Sequence, residues 1–459
     1  MSNPGDADDT PLTSIEQMAE YLSVGCKSRA EFRIGTEHEK FGFRHADLAP
    51  PPYLPADGQP GGIRDLLAGL ARFGGVPILD RGNPIGLKQG AASVSLEPAG
   101  QLELSGAPLE SLHETKTELE EHYRQVRSAC ESLDLGFAPL GFHPLATRAT
   151  MPWMPKGRYA IMQRYMPLVG SMGLDMMTRT CTVQVNLDFA SEADMRRKLR
   201  VSLLLQPLAT ALFANSPFTE GRPNGFMSYR AHIWTDTDNK RSGIPKVMFE
   251  DGFGFERYAA WIIDNVPMYF VYRDGGYIDV AGQSFTDFIA GRIPALTGVT
   301  ATLGDFADHV TTAFTDVRLK RFLEMRGADA GRADMMIAQS ALWVGLLYDD
   351  AALTAAEALL RGAGWDDALS ARNAVPRMGL ETPWRGGKLR DILCDVVTIA
   401  AGGLRGRDRR NEAGDDERVL LAPLQAIADG GPTQSEHWLA RYHGAWNRDV
   451  RRIFKEAAI

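Results

Sequence analysis

Ile34-Gly-Thr-Glu-His-Glu-Lys-Phe-Gly-Phe43 is a run in which polar and apolar residues alternate with the period of a β-strand. Successive side chains of a strand point to opposite faces, so Glu37 and Glu39 share one face while His38 and Lys40 share the other. At a rise of roughly 3.3 Å per residue the two carboxylates lie about 7 Å apart and repel each other unless a cation lies nearby. Oxygen ligands of this kind suit a hard divalent cation. The alternative is a solvated strand edge, which the flanking apolar and aromatic residues disfavour.

A second segment, Ser93–Leu104, repeats this pattern as two short strands around a Pro-Ala-Gly turn. Its apolar residues face one way, so Ser95, Glu97, Gln101 and Glu103 fall together on the polar face. The two segments together predict four carboxylates around one cavity. Four carboxylates can hold about two divalent cations, and Mg²⁺ usually serves phosphate chemistry through one or two carboxylates.

Two further segments add polar groups to this predicted site. The alternating run around Gln184 and Asn186 places amides on the polar face of a strand. In Arg318–Asp329, an extended chain would put Glu324 and Arg326 on one face, pairing a metal ligand with a cation suited to phosphoryl oxygens. A surface helix with scattered basic residues is the alternative for that segment.

Two basic motifs offer anchors for an anionic substrate. Ser228–Trp234 is predicted to alternate as a strand that presents Arg230, His232 and Trp234 on one face. The run Met-Pro-Lys-Gly-Arg-Tyr contributes Arg158. Arginine binds a carboxylate through two parallel hydrogen bonds, so both motifs suit an amino-acid substrate. Isolated arginines are commonly surface residues, and the carboxylate set is what gives these two their weight.

Composition excludes several classes of protein. The 459 residues include 50 Lys and Arg against 58 Asp and Glu, a net charge of −8, which argues against nucleic-acid binding. Four cysteines without a C-x-x-C pair argue against a disulfide scaffold or a zinc site. The P-loop, dinucleotide, zincin and nucleophile-elbow motifs are missing, so bound phosphates must be held by metal ions and arginines. An acidic start without an apolar core, and no long apolar run, predict a cytoplasmic protein with no membrane contact.

Strands interleaved with long helices, without a regular βαβ rhythm, predict an α+β chain with a mainly antiparallel sheet. Residues 1–12 are expected to form a disordered tail, and residues 13–459 a single catalytic domain with a helix-rich part over 330–459. The proline- and glycine-rich stretch 49–62 predicts a loop.

Taken together, these segments resemble plant-type glutamate–cysteine ligases, which belong to the glutamine-synthetase-like superfamily. The matching motifs include IGTEHEKFGF, GLKQG, SLEPAGQLELSGAPLE, MPKGRY, RTCTVQVNLDF, ALFANSPFTEG, HIWTDTD and VRLKRFLEMRGAD. The resemblance implies a curved, mainly antiparallel sheet that forms a funnel-shaped active site, with helices packed outside.

The reaction that the resemblance implies is the ATP-dependent joining of the γ-carboxylate of L-glutamate to L-cysteine, through a γ-glutamyl phosphate. It is the first step of glutathione biosynthesis. A related γ-glutamyl–amine ligase with another acceptor is the alternative. A non-catalytic binding protein on the same scaffold is disfavoured, because the acidic ligands and the arginines are all present.

The resemblance also implies roles for the motif residues. Two or three Mg²⁺ ions would be held by Glu37, Glu39, Glu97, Glu103, Gln184 and Glu324. The amino acids would be bound by Arg158, Tyr159, Asn186, Arg230 and Trp234. ATP would be bound by Arg318, Lys320 and Arg326. The catalytic residues would be Arg230 and Arg326.

The sequence also departs from the plant members, which carry two cysteine pairs tied to redox control. The matching positions hold Lys116 with Ile337 and Val280 with Ala295. We therefore expect no thiol switch of that type. We also expect a monomer or a weak homodimer.

Overall fold

A computed structural model of the chain describes residues 8–56, 58 and 61–459. Its β-strands are, in chain order, β1 Ile34–Arg44, β2 Val76–Asp80, β3 Asn83–Gln89, β4 Ala92–Leu96, β5 Leu102–Ser105, β6 Leu135–Ala138, β7 Thr182–Leu187, β8 Phe218–Thr219, β9 Arg222–Pro223, β10 Ser242–Gly243, β11 Phe270–Arg273, β12 Gly276–Asp279, β13 Phe314–Thr315, β14 Val317–Leu319, β15 Leu323–Asp329, β16 Pro383–Trp384 and β17 Gly387–Lys388.

The α-helices are, in chain order, α1 Ile15–Ser23, α2 Ile63–Ala71, α3 Leu112–Cys130, α4 Gly157–Val169, α5 Gly173–Arg179, α6 Glu192–Leu212, α7 Tyr229–Ile233, α8 Phe255–Asn265, α9 Phe285–Ile289, α10 Leu303–Val310, α11 Ala333–Leu347, α12 Asp350–Leu359, α13 Trp365–Met378, α14 Leu389–Arg407, α15 Ala422–Ala428, α16 Gln434–His443 and α17 Ile453–Ala457. None of the helices in the described part of the chain is long and apolar enough to cross a membrane.

One open sheet organises the molecule. Its strand order is β14-β15-β7-β1-β5-β4-β3-β2, and β6 also pairs with β1. Neighbouring strands of this sheet run antiparallel. The predicted α+β class with a mainly antiparallel sheet is confirmed. The first strand recognised in the sequence, β1, lies in the middle, with a neighbour on each side.

The apolar face of the sheet is covered by helices. Val94 and Leu96 of β4 and Leu102 and Leu104 of β5 are buried in one core cluster with residues of α2 and α3. Beyond β1, α6 packs on β15 and α11 packs on β7. Nearly every residue of α11 is buried, as expected for a helix that is apolar all round. The polar face of the central strands is therefore left free to line a cavity.

Local sequence explains where the decisive elements turn and start. Between β4 and β5 the chain reverses at Gly100, whose φ of +84° is a conformation that glycine adopts without a Cβ clash. The backbone N–H of Glu97 donates to the carbonyl of Gln101 across this turn, at 2.9 Å. Ser191 caps α6 by accepting a hydrogen bond from the Asp194 N–H.

The loop predictions for the chain start and for the proline-rich stretch can be compared with the structure. Residues 1–7 lie outside the described part, so a loose tail there stays a prediction. The expected tail over residues 8–12 is wrong, because apolar Leu12 is buried and its N–H donates to the Ala301 carbonyl at 2.9 Å. The described residues of 49–62 contain neither helix nor strand, as predicted, while 57, 59 and 60 lie outside the description.

Candidate active site

Strand pairing brings the predicted carboxylates into register across the centre of the sheet. Glu37 of β1 lies opposite Gln184 of β7, and Glu39 lies opposite Glu103 of β5. Like charges directly opposite each other on neighbouring strands destabilise a sheet. A positive charge on this face of the sheet would therefore stabilise the arrangement.

The other face of β1 turns toward α3, as the alternation predicts. Lys40 is fully buried there, and its Nζ lies 2.8 Å from Nε2 of His122. His38 packs edge-on against the His122 ring. Burial lowers the pKa of Lys40 to about 7. The sheet thus separates a carboxylate face from a buried basic face.

Glu37, Glu39 and Glu103 form a first group of carboxylates at the centre of the sheet. A second group of contacts lies toward β14, where cations compensate the charge of a carboxylate. Glu324, in extended β15, lies opposite Asn186 of β7 and opposite Arg318 of β14. Its carboxylate is fully buried and lies 2.7 Å from Arg318 and 2.5 Å from Arg326. The extended reading of this segment is confirmed, and the surface-helix alternative is wrong. Lys320, in the turn before β15, is 3.6 Å away.

The two groups differ sharply in their electrostatics. Burial and the charges of Glu97 and Glu103 raise the pKa of Glu39 to about 8. Burial and the charges of Glu324 and Glu103 raise the pKa of Glu37. Burial alone would also raise the pKa of Glu324, but Arg318 and its neighbouring cations hold it well below its usual range. Burial and repulsion from neighbouring carboxylates therefore outweigh the nearby cations at Glu39, whereas the cations prevail at Glu324.

Hydrogen bonds fix the orientation of several of these side chains. The Thr182 N–H donates to Glu39 Oε2 at 2.9 Å. Asn186 donates through Nδ2 to Glu37 Oε1 at 2.8 Å. Arg326 donates through Nη1 to the Gln184 side-chain oxygen as well as to Glu324. Such support holds the donor atoms in place before any ligand arrives.

Whether these residues suit Mg²⁺ can be judged from their donor atoms. In the described part of the chain, no three His, Cys, Asp or Glu side chains form a ready-made metal cluster. The donors are instead carboxylate pairs and an amide oxygen, all hard oxygen ligands. Mg²⁺ is usually bound by one or two carboxylates together with substrate phosphates and water. The donor set fits a Mg²⁺ ion that is shared with a phosphate ligand.

Two adjoining cavities open on this face of the sheet. The larger holds about 640 Å³ of empty space, including the part open to solvent, and the smaller about 420 Å³. Of the predicted metal ligands, the larger cavity is lined by Glu39, Glu97 and Gln184. Of the predicted substrate and nucleotide residues, it is lined by Tyr159, Arg230, Trp234, Arg318 and Arg326. The predicted residues outside its lining are Glu37, Glu103, Arg158, Asn186, Lys320 and Glu324.

Arg158 lies just behind this lining, at the start of α4. It is buried, and its guanidinium is 5.4 Å from the centre of the Tyr159 ring. Burial lowers the pKa of Arg158, but Tyr159 and the charge of Glu97 more than offset this effect and raise it. The structure thus brings Arg158 beside the carboxylate group without exposing it to the larger cavity.

The predicted strand over residues 228–234 is wrong. Ser228 starts helix α7 instead, because its side-chain oxygen accepts a hydrogen bond from the Ala231 N–H at 3.1 Å. Arg230 and Trp234 are four residues apart and so still share a face, which lines both cavities. His232 points elsewhere and stacks on a phenylalanine ring.

Asp329 is a supporting residue that the sequence reasoning missed. This carboxylate is almost fully buried and accepts hydrogen bonds from the Asn215 N–H at 2.8 Å, from Ser216 Oγ at 2.6 Å and from Ser228 Oγ at 2.8 Å. It thereby fixes the cap of α7. Only its place in the RGAD motif hinted at a role, since its partners lie about a hundred residues away in the chain.

Helix α16 supports the same region from the outside. Trp438 donates through Nε1 to the Asn215 side-chain oxygen at 2.7 Å. Ser435 donates through Oγ to the carbonyl of Met227, just before α7, at 2.5 Å. The C-terminal helices therefore contact the wall of the cavity that carries Arg230.

Comparisons with known proteins found similar sequences and a similar fold. The family model described as glutamate–cysteine ligase family 2 (GCS2) matches residues 33–456. The chain is 51% identical over 447 residues to the chloroplastic glutamate–cysteine ligase of Nicotiana tabacum, a match that covers 97% of this chain and 83% of that protein. It is 50% identical over 449 residues to the chloroplastic enzyme of Arabidopsis thaliana, again covering 97% and 83%.

Among solved structures, the fold is similar to that of a glutamate–cysteine ligase from Francisella tularensis in complex with AMP. The TM-score is 0.53 at 12% identity, over 93% of this chain and 88% of the other. At this identity the likeness concerns the fold alone. The shared fold agrees with the α+β class of the sheet.

The relatives also correct one expectation. The similar plant proteins are named chloroplastic, which contradicts the predicted cytoplasmic location. That prediction rested on the acidic composition of the first residues. Composition at that point of the chain does not report the compartment.

Proposed function

The chain belongs to glutamate–cysteine ligase family 2, and from this membership we propose how its cavity works. The protein is an ATP-dependent ligase that joins the γ-carboxylate of L-glutamate to L-cysteine, giving γ-glutamylcysteine, ADP and phosphate. This is the first step of glutathione biosynthesis. The observation that carries the mechanism is a cavity lined both by carboxylates that repel one another, Glu39 and Glu97, and by the guanidinium groups of Arg230 and Arg326.

The first chemical step brings two anions together. The γ-carboxylate of glutamate attacks the γ-phosphorus of ATP, ADP leaves, and γ-glutamyl phosphate forms. Charge repulsion dominates this barrier, so preorganised positive charge supplies most of the catalysis. Arg326 is suited to the transferring phosphoryl group, because its guanidinium lies in the cavity and is held rigidly by Gln184 and Glu324.

The carboxylates suit the metal that such phosphate chemistry uses. When bound, Mg²⁺ would supply positive charge to the phosphoryl oxygens, and we propose two or three ions held by Glu37, Glu39, Glu97, Glu103, Gln184 and Glu324. Of these ligands, Glu39, Glu97 and Gln184 have direct access to the larger cavity. The pKa of Glu39, raised by burial and by repulsion from Glu97 and Glu103, supports this assignment, because a nearby divalent cation would relieve that repulsion.

The second step transfers the glutamyl group. The neutral amine of cysteine attacks the acyl carbon of γ-glutamyl phosphate, and phosphate leaves. Water must be excluded during this step, because it would hydrolyse the acyl phosphate. Trp234, Phe314 and Met162 line the larger cavity and supply apolar walls for this purpose.

The remaining predicted residues take supporting roles in this proposal. Arg158 and Arg230, with Tyr159 nearby, are assigned to the carboxylates of the amino acids. Asn186 holds Glu37 through its amide. Arg318 uses Nη1 on two backbone carbonyls and Nη2 on Glu324, so we assign it to position Glu324 rather than to bind ATP directly.

Lys320 remains the proposed contact to ATP beside Arg326. A monomer or a weak homodimer remains the proposed working state.

The direct test is an assay of the purified protein for ADP formation with ATP, Mg²⁺, L-glutamate and a series of amine acceptors. We expect L-cysteine to give the highest kcat/KM and mass spectrometry to identify γ-glutamylcysteine. A second amine that outperforms cysteine would establish the related γ-glutamyl–amine ligase instead. Absence of acceptor-dependent ADP formation would contradict the ligase assignment.

A further inference from the structure

A carboxylate that the proposed mechanism does not use lies at the arginine end of the site. Asp316 lines the smaller cavity together with Arg230, Trp234 and Arg326. Its side chain is 16% exposed. Oδ2 accepts a hydrogen bond from Arg372 Nε at 2.8 Å, while Oδ1 receives no hydrogen bond from any residue in the described part of the chain. One oxygen is thus held and the other is available to a ligand.

The backbone around Asp316 is fixed from two sides. Its N–H donates to the carbonyl of Gly243 at 2.8 Å, and its carbonyl accepts from the Arg326 N–H at 3.0 Å. Gly243 has a φ of +85°, and a Cβ there would lie 3.2 Å from Cζ of Arg372. A side chain at that position would both strain the backbone and crowd the guanidinium. Asp316 therefore presents its oxygen from a preorganised position.

Arg372 links this carboxylate to the aromatic wall. Besides its bond to Asp316, it donates through Nη2 to the backbone carbonyl of Trp234 at 3.1 Å. Its side chain is only 13% exposed. The guanidinium of Arg372, in α13, therefore bridges Asp316, which lies between β13 and β14, and Trp234, at the end of α7.

We propose that Asp316 binds the α-ammonium group of an amino-acid substrate, and that Arg372 is the residue that positions it. The inference rests on the proposed ligase function. An α-amino acid carries an ammonium and a carboxylate on the same carbon, so its recognition needs a carboxylate beside an arginine. Asp316 and Arg230 form that combination in one cavity.

The other carboxylates of the region are committed elsewhere. Asp329 accepts three hydrogen bonds from the protein. Glu324 is surrounded by Arg318, Lys320 and Arg326. The carboxylates around Glu39 lie together in the group assigned to Mg²⁺. Asp316 is left as the carboxylate for a substrate cation.

The test compares wild type with Asp316→Asn, which keeps the shape of the side chain and removes its charge. We expect the KM of one amino acid to rise at least tenfold, with the KM values of the other amino acid and of ATP within twofold of wild type and kcat within threefold. A rise for glutamate identifies its ammonium as the ligand, and a rise for cysteine identifies that of cysteine as it binds, before it loses the proton and becomes the attacking amine. Unchanged KM values, or a parallel rise of all three, would overturn the proposal.

Analogues without the amino group separate binding from mere support of the fold. Glutarate lacks the ammonium of glutamate, and 3-mercaptopropionate lacks that of cysteine. We expect the inhibition constant of the matching analogue to stay within twofold in Asp316→Asn, because the lost interaction does not involve it. If the inhibition constant rises as much as the substrate KM, Asp316 supports the wall of the cavity and does not bind an ammonium.

Variants at Arg372 and at a distant pair complete the design. Arg372→Gln is expected to raise the same KM, and to add less than twofold in the double variant with Asp316→Asn. Glu357→Gln is the matched control, because it removes a carboxylate paired with Arg197 outside both cavities, and its KM values should equal those of wild type.

Thermal unfolding checks that each variant folds. Should Asp316→Asn not fold, Asp316→Glu replaces it: the retained charge must preserve the preference for the substrate over its des-amino analogue, and loss of that preference would overturn the proposal. Failure of the wild-type protein to make γ-glutamylcysteine would instead remove the proposed function.

Discussion

Replacing Glu39 by glutamine should make the metal-free protein more stable while abolishing most of its activity. The pKa of this carboxyl is raised in the fold from 4.5 to about 8, so the folded protein holds the proton more tightly than the unfolded chain does. The contribution of protonated Glu39 to stability is fully present below pH 4.5 and is lost as the pH rises through about 8. At 1.36 kcal/mol per pKa unit, the ionisable group costs about 3 kcal/mol of unfolding free energy at pH 7 and about 5 above pH 8.

Glutamine avoids that cost and can still accept the hydrogen bond from the Thr182 N–H. We therefore expect Glu39→Gln to equal wild type at pH 4.5 and to exceed it by about 3 kcal/mol at pH 7, measured by urea unfolding with EDTA present. Adding Mg²⁺ and ATP should stabilise wild type and not the variant. The kcat for ADP formation should fall at least about 100-fold, the usual loss for one preorganised charge.

Glu417→Gln is the matched control for this experiment. Glu417 is fully buried as well, but it accepts a hydrogen bond from the Leu112 N–H at 2.7 Å and pairs with Arg407 at 3.1 Å. Breaking a buried pair leaves one charge unpaired, so this variant should lose about 3 kcal/mol and keep its kcat. A Glu39→Gln protein that is less stable than wild type in EDTA at pH 8 would refute the idea of mutual repulsion among the carboxylates.

Three further outcomes follow from the same structure. Arg326→Lys keeps the charge but cannot bind Gln184 and Glu324 at the same time as the guanidinium does, so kcat should fall about 100-fold. The control Arg332→Lys, in an exposed ion pair, should leave kcat unchanged. Equal kcat values for the two variants would contradict the role assigned to Arg326. His143, fully buried with a pKa lowered to about 3 by burial and Arg179, accepts two backbone hydrogen bonds through Nδ1. The stabilising contribution of the neutral His143 is present above pH 6.5 and decreases as the pH falls. Wild type should therefore lose about 2 kcal/mol of unfolding free energy between pH 7 and pH 5. His143→Asn should not show this loss when urea unfolding is measured at both pH values. Dithiothreitol should leave activity unchanged, because all four cysteines are free, and a several-fold activation would contradict the missing redox pairs.

The central part of the sheet could be predicted from the sequence, because its information is local. Alternation over β1 and over the β4–β5 hairpin is strict, and Gly100 marks the turn between the two short strands. Once those strands are correct, the shared face of Glu37, Glu39, Glu97 and Glu103 follows from the period of two. The family motifs then named the same residues independently.

The segment that became α7 shows where local reasoning fails. Residues four apart share a face both on a strand and on a helix, so Arg230 and Trp234 were grouped correctly although the secondary structure was wrong. Only His232 distinguishes the two alternatives, and its side chain points away from the site. The deciding interaction is the hydrogen bond at Ser228, which depends on the capping geometry rather than on hydrophobic period.

Asp316 and Asp329 could not be assigned from the sequence at all. Each is held by partners far away in the chain, Arg372 for the first and Asn215 and Ser228 for the second. Hydrogen bonds between such distant residues depend on how the helices cross the sheet. No sequence pattern within either segment predicts them. The tertiary fold supplies what the motifs leave open.

The bonds from α16 to the Asn215–α7 region have a practical consequence for anyone who wishes to shorten this enzyme. A fragment that ends before Gln434 keeps every proposed magnesium-binding carboxylate, and it loses the indole and hydroxyl groups that brace the wall carrying Arg230. Such a fragment also loses the core that Trp438 and Phe454 form with Phe41 and Phe43 of β1, the strand that carries Glu37 and Glu39. Shortened versions of the chain should therefore be judged by turnover.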